Sequence, residues 1–201
     1  MPEILYQSDE LIACVKPAGV LSEASPDGQD IVSMLEGVTG GKIYPLHRLD
    51  RPVGGVMIFA RTPAAAAKYM ELIKNGGVVK SYLALADGAP EPSEGELRDL
   101  LFKDSRKNKV YVVRRERKGV REAVLYYKTL EIRNNGAALL LITLKTGRSH
   151  QIRAQLASRG IPVSGDGKYG SKVNRPIALW SYCVEVGGMR FTALPEWAGV
   201  I

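Results

Sequence analysis

His47, Arg48, Asp50 and Arg51 place four ionisable groups within five positions, and Val56-Met57-Ile58-Phe59-Ala60 follows directly, led by Gly54 and Gly55. That apolar run has the length and composition of a fully buried strand. Side chains alternate along extended backbone, so Arg48 and Asp50 face the same way. Two readings of Asp50 are open. It is a reactive carboxylate, or it caps the turn before the strand with Arg48 as its counter-ion.

A second polar cluster is Thr146-Gly147-Arg148-Ser149-His150-Gln151-Ile152-Arg153. Ser149 is expected to cap a helix that has Ile152 and Leu156 on one face and ends at Gly160. His150 and Arg153 are i,i+3 neighbours on another face, so both can look into one cleft. Such a helix start, with Arg148 beside it, suits a phosphate or a carboxylate. Tyr82 is the third candidate. In the expected strand Val79 to Ala86 it shares a face with Ala84 and Ala86 and is the only large residue there. It reads either as a core tyrosine with its hydroxyl bonded at the edge or as a site residue.

The scaffold around these clusters reads as many strands and few helices. Ile4 to Tyr6 and Leu11 to Val15 are strand-like, the second ending at Lys16-Pro17-Ala18-Gly19, where Lys16 reads as a strand-end charge. Ile31 to Leu35 is expected to make one or two helical turns. Thr62-Pro63 opens a helix with a cap and a first-turn proline, and Asn75-Gly76-Gly77 closes it. Asn135-Gly136 and Gly187-Gly188 mark hairpins. Pro90 to Gly95 is read as a loop leading into the basic segment, whose only strand-like interior is Val110 to Val113. The expected class is α+β with a mostly antiparallel sheet.

The chain has 201 residues, enough for a substantial core, and nothing marks a second domain, so residues 1–201 are expected to form one domain. Cys14 and Cys183 sit alone in apolar runs, and His47 and His150 are the only histidines, so no metal site is expected. The N-terminus lacks a signal-peptide pattern, and no apolar run approaches the ~20 residues that span a bilayer. The expectation is a soluble cytoplasmic protein, by default a monomer.

Charge is uneven. Residues 1–100 are net −5 and residues 101–201 net +12. Nine basic residues, among them Lys103, Arg106, Lys107, Arg114 and Arg115, lie between Lys103 and Arg121 against two acids. That segment is either a solvated hairpin or a surface for a phosphate backbone.

Four stretches together resemble the RluA-type pseudouridine synthases. They are Leu11 to Leu21 with Lys16-Pro17-Ala18-Gly19; His47-Arg48-Leu49-Asp50 with its glycine-led strand; Lys80-Ser81-Tyr82-Leu83-Ala84; and Gly147 to Arg153 continuing to Gly165-Asp166-Gly167-Lys168-Tyr169-Gly170. The resemblance implies a cofactor-free isomerase that converts uridine in rRNA or tRNA to pseudouridine, on a fold with a twisted, mostly antiparallel mixed sheet, flanking helices and a central active-site cleft. It implies that Asp50 is the essential aspartate, that Tyr82 stacks on the base and serves as general base, and that Arg153 is the basic residue paired with the aspartate. Arg48 is implied in displacing the target base, and His47, Arg148, His150 and the basic segment are expected to contact RNA. Three departures stand out. Pro52-Val53 replaces a usual Thr-Ser, Trp180 stands where many members carry histidine, and no small S4-like module is expected ahead of the matched stretches. The alternative is a non-catalytic RNA-binding or RNA-chaperone protein on the same fold.

Overall fold

Strong local signals open the first unit. In the computed structural model, which describes residues 1–199, the strand-like runs near the N-terminus become β1 (Glu3–Gln7) and β2 (Leu11–Lys16), paired antiparallel. Asp30 caps α1 (Ile31–Thr39), its carboxylate accepting from the Ser33 N–H at 2.8 Å, and the helix runs beyond the expected two turns to a left-handed Gly40. After β3 (Tyr44–Pro45) the polar cluster leads into β4 (Gly54–Ala60), every residue of which is buried. Thr62 and Pro63 start α2 (Pro63–Lys74) as the sequence predicts.

The chain divides into two compact units, residues 1–80 with the stretch from Trp180 onward, and residues 81–179. The class is α+β with a mixed sheet. In the first unit β4 is central. It pairs antiparallel with β2 along one edge, and its other edge is shared by β3 at Phe59-Ala60 and by β10 (Leu179–Val186), parallel, at Gly54-Gly55. β11 (Met189–Thr192) folds back on β10 about Gly187-Gly188, both at positive φ. Leu11, Val56, Ile58, Tyr69, Val184 and Phe191 form its apolar core, which α2 covers through Ala65 and Tyr69.

In the second unit, β5 (Val78–Ala86), whose residues from Ser81 lie here, is followed by β6 (Glu94–Asp104), β7 (Lys109–Val113), β8 (Val120–Ile132) and β9 (Ala138–Leu144), in the order β5-β9-β8-β6-β7. The β8–β9 hairpin turns through Asn135-Gly136, as expected. The expected loop holds from Pro90 to Ser93, but β6 takes in Glu94 and Gly95 and gives the start of the basic segment a second strand. Its eleven residues are rich in charge, but Leu97 and Leu101 turn inward while Glu94, Glu96 and Arg98 face solvent, the alternation of a half-buried strand. The short helix α3 (Gln151–Ala157) contributes Ala154 to a core with Leu101, Val110, Ala123 and Tyr169. Its start is not capped by Ser149. His150 takes the boundary position in a left-handed conformation, φ 47°, and the helix ends at Ala157, short of Gly160.

Candidate active site

The loop from Leu46 to Val53 carries Asp50, and the segment after β2 fixes it on both sides of that residue. Ser22 donates to the Leu49 carbonyl at 2.7 Å and accepts the Leu49 N–H at 3.0 Å. On the other side the Arg51 carbonyl accepts from the Gly19 N–H at 2.8 Å, and the Arg51 side chain returns a bond to the Gly19 carbonyl at 2.9 Å. A turn closed by Val53 N–H to the Asp50 carbonyl, 2.9 Å, completes the frame. Asp50 itself is half-buried.

Lys16 ends β2, as expected, but its charge is not at the surface. Its side chain is fully buried, and its ammonium donates to the carbonyls of Pro17 at 2.8 Å, Val20 at 2.7 Å and Arg51 at 3.4 Å. Three carbonyls replace the water lost on burial. Burial pulls its pKa down from 10.5 to about 8, against the opposing influence of Asp50 and Cys14. The same burial pushes the Cys14 thiol up to about 12.

The glycine lead into β4 has a steric cause. A side chain on Gly55, which sits at φ +118°, would enter the main chain of Ser181, and one on Gly54 would strike the Trp180 ring. Close parallel approach of β10 therefore requires both glycines. Trp180 is held there by its indole N–H on the Ala193 carbonyl at 2.9 Å.

His47 and Arg48, adjacent in sequence, diverge. The His47 Nε2 accepts the Ile58 N–H at 3.2 Å, beside the Leu46 N–H to Ile58 carbonyl bond of 3.2 Å, so the ring extends the β3–β4 ladder by one acceptor. Burial, with Lys80 adding to it, lowers its pKa to about 3, so the imidazole is neutral with its proton on Nδ1. Arg48 points outward and pairs with Glu23 at 2.9 Å, both side chains well exposed.

In the second unit Tyr82 is 6% exposed, on the buried part of β5. The turn before α3 is locked to β8 by Gln151. Its amide oxygen accepts from Thr146 at 2.8 Å and from the Arg148 N–H at 3.0 Å, and its amide nitrogen donates to the Val124 carbonyl at 3.1 Å. Arg148 is exposed and donates to the Glu122 carbonyl at 2.9 Å. His150 and Arg153 do come together, around Tyr169. The tyrosine hydroxyl lies 2.8 Å from His150 Nδ1 and accepts the Val110 N–H at 2.8 Å, and the Arg153 guanidinium sits 5.0 Å from the ring centre.

Arg153 also makes a two-bonded pair with Asp166, Nε to Oδ2 at 2.6 Å and Nη2 to Oδ1 at 2.9 Å, both residues buried. Asp166 and Tyr169 are not among the candidate residues that the sequence singles out. The signal for them was present in Gly165-Asp166-Gly167-Lys168-Tyr169-Gly170, one of the stretches that carried the resemblance. The basic segment forms the β6–β7 hairpin and the loop after it. Lys103, Arg106, Lys107, Arg114 and Arg115 are all exposed, and Asp104 holds the turn through the Arg106 and Lys107 N–H groups at 3.0 and 3.1 Å. Among the described residues no cluster of His, Cys, Asp or Glu has the arrangement of a metal site.

Residues 10–158 match a family model described as RNA pseudouridylate synthase. The chain is 31% identical over 182 residues to the ribosomal large subunit pseudouridine synthase C of Rickettsia conorii, covering 89% of this chain and 60% of that protein. It is 32% identical over 183 residues to the tRNA pseudouridine synthase C of Vibrio vulnificus, covering 85% and 74%. The solved structure of human RNA pseudouridylate synthase domain containing 4 superposes with a TM-score of 0.81 at 24% identity over 97% of this chain and 89% of that one, a likeness of fold. The chain thus spans about 60% of the length of its rickettsial relatives.

Proposed function

Since the chain belongs to the RNA pseudouridylate synthase family, we propose that it isomerises uridine in RNA to pseudouridine. The C1′–N1 glycosidic bond breaks, the uracil turns, and C1′ joins C5. N1 takes up a proton and C5 gives one up, so no atom is gained or lost and no cofactor is consumed. Asp50 is the carboxylate that attacks the nucleoside or assists departure of the base. Tyr82 stacks on the base and accepts the C5 proton. Arg153 is the cation that balances negative charge during the reaction, and its pair with Asp166 fixes its orientation.

The observation that carries this reading is the frame about Asp50. Leu49 and Arg51, its neighbours on either side, are each held by hydrogen bonds to the Lys16 to Ser22 segment. Holding a reactive group in place before substrate arrives is what lowers the cost of reaching the transition state. The relatives' names support ribosomal or transfer RNA as substrate class. Extrusion of a stacked uridine costs a few kcal/mol, and Arg48 and the exposed basic hairpin are the groups we assign to recovering it. We take the chain as a monomer acting in the cytoplasm. No described helix is long and apolar enough to cross a membrane.

The test is tritium release from RNA labelled at uridine C5, using pooled ribosomal and transfer RNA from cells lacking the protein. Release by the native chain, and none by Asp50→Asn with folding and RNA affinity intact, is the expected result. Equal release by the mutant removes Asp50 from the reaction. No release by either, with RNA binding retained, favours a non-catalytic RNA-binding protein.

A further inference from the structure

The second unit contains a pocket of about 370 Å³ that none of the proposed catalytic residues lines. Its walls are the end of β5, the β8–β9 turn, the segment after α3 and the loop at residues 170–175. These walls are tied together by main-chain bonds. The Asp87 N–H donates to the Pro162 carbonyl at 2.9 Å and the Ser164 N–H to the Leu85 carbonyl at 2.7 Å. The pocket is therefore built before any ligand arrives, and its volume lies in the range of small-ligand sites.

Three cations line it, Arg133, Lys172 and Arg175, against one lining carboxylate, Asp87; Arg133 also lies 3.8 Å from Glu131, so Lys172 and Arg175 carry the excess. That imbalance suits an anion with several oxygens. Asp87 adds a second requirement. Its Oδ1 is buried and has no hydrogen-bond partner. Buried polar atoms are normally paired, so this oxygen calls for a donor from outside the protein. Val173, 46% exposed on the rim, adds an apolar surface. An anionic oxygen cluster, a hydroxyl donor and an apolar face occur together in a ribose phosphate.

We propose that this pocket takes one ribose-phosphate unit of the RNA, with the phosphate on Lys172, Arg175 and Arg133 and a ribose hydroxyl on Asp87 Oδ1. The proposal rests on the reading of the chain as an RNA-modifying enzyme. The exposed rim, with Lys172 and Val173 at the surface, lets a continuous chain pass over it. The site would hold RNA at a distance from the reacting uridine and distinguish RNA from DNA through the 2′-hydroxyl.

The experiment measures RNA affinity by fluorescence anisotropy and turnover by tritium release for Lys172→Glu, Arg175→Ala and Asp87→Ala. Lys172 is exposed, and Asp87→Ala removes an unpartnered buried acceptor, so both variants are expected to fold. Lys172→Glu and Arg175→Ala should raise KM for RNA about tenfold, with turnover at saturating RNA within twofold of the native value. Asp87→Ala should weaken RNA about threefold while leaving affinity for the same strand with 2′-deoxyribose unchanged. Native affinity in all three variants overturns the proposal, even when the native chain releases tritium normally. Pocket-dependent RNA binding with no tritium release sustains it and overturns the isomerase reading alone. Uridine 5′-monophosphate binding in the pocket as tightly as RNA overturns the assignment to the RNA chain.

Discussion

Arg153 and Asp166 meet as a buried, two-bonded ion pair thirteen residues apart in sequence, so the carboxylate sets the plane of the guanidinium. Deleting either side chain takes two charge-assisted bonds from a buried charge, a loss of about 3–5 kcal/mol. Asp166→Ala is therefore expected to lower the urea midpoint strongly. The double variant Arg153→Met/Asp166→Leu should recover most of that stability and none of the activity. An unchanged midpoint in Asp166→Ala would show that the pair does not support the fold.

Lys16 and Cys14 give the stability a distinctive alkaline profile. Lys16 releases its proton near pH 8 when folded and near 10.5 when unfolded, so between those values the unfolded chain binds more protons and stability rises with pH. Cys14 holds its proton to about pH 12 when folded but only to about 9 when unfolded, so stability falls from pH 9 upward. The two slopes, each up to about 1.4 kcal/mol per pH unit, oppose each other above pH 9. The net rise from this pair is confined to pH 8–9. Lys16→Met should abolish that rise and expose the fall, and Cys14→Ala should extend the rise toward 10.5. Urea midpoints at pH 7.5, 8.5 and 9.5 decide this, and a rise that persists in Lys16→Met refutes it. The same variant removes the ammonium from three carbonyls around the Asp50 loop, and turnover should drop at least tenfold while RNA affinity holds.

His47 should act on stability rather than on RNA. Its folded pKa near 3 lies below the ordinary 6.5, so the unfolded chain takes up a proton first on acidification and stability is lost as pH falls from 6.5 toward 3. His47→Gln keeps an acceptor where Nε2 meets the Ile58 N–H and cannot be protonated. It should fold with a flatter acid profile and bind RNA as the native chain does. His47→Leu leaves that N–H without its acceptor and should cost about 1–3 kcal/mol. A His47→Gln chain with weakened RNA binding would return the residue to the RNA surface.

What was legible in the sequence was local. Gly54-Gly55 before an apolar run, Thr62-Pro63, Asn135-Gly136 and Gly187-Gly188 each depend on backbone preferences of neighbouring residues, and each element formed where expected. The relations that set up the candidate site are tertiary. The burial of Lys16 does not show locally, because its acceptors come from the Pro17 to Val20 segment folding back and from Arg51, 35 residues away. Asp166 does not stand out in the sequence because its partner, Arg153, lies on another element. Ser149 has the chemistry of a helix cap, yet Gln151 already accepts the Arg148 N–H and His150 takes the boundary. β6 was hidden by its charges, whose alternation with Leu97 and Leu101 shows only once one face is covered.

The basic hairpin offers a prediction that separates contact from scaffold. Arg114 and Arg115 lie in the exposed loop after β7, whereas Arg117 is stacked 4.4 Å over the Phe102 ring. If the loop arginines each meet a phosphate, log affinity against log salt should become shallower by about 0.7–0.9 for each one removed. Arg114→Ala/Arg115→Ala should thus lower affinity at moderate salt about tenfold, by similar factors across RNA sequences, and converge on the native chain at high salt. Turnover at saturating RNA should be preserved, because both arginines are assigned to RNA contact and not to the reaction. Arg117→Ala should instead act through the hairpin, lowering the urea midpoint by the equivalent of about 0.5–1 kcal/mol. An unchanged salt slope in the double variant, measured by anisotropy between 50 and 300 mM salt (about the range where such slopes are linear), would take this hairpin out of the RNA interface.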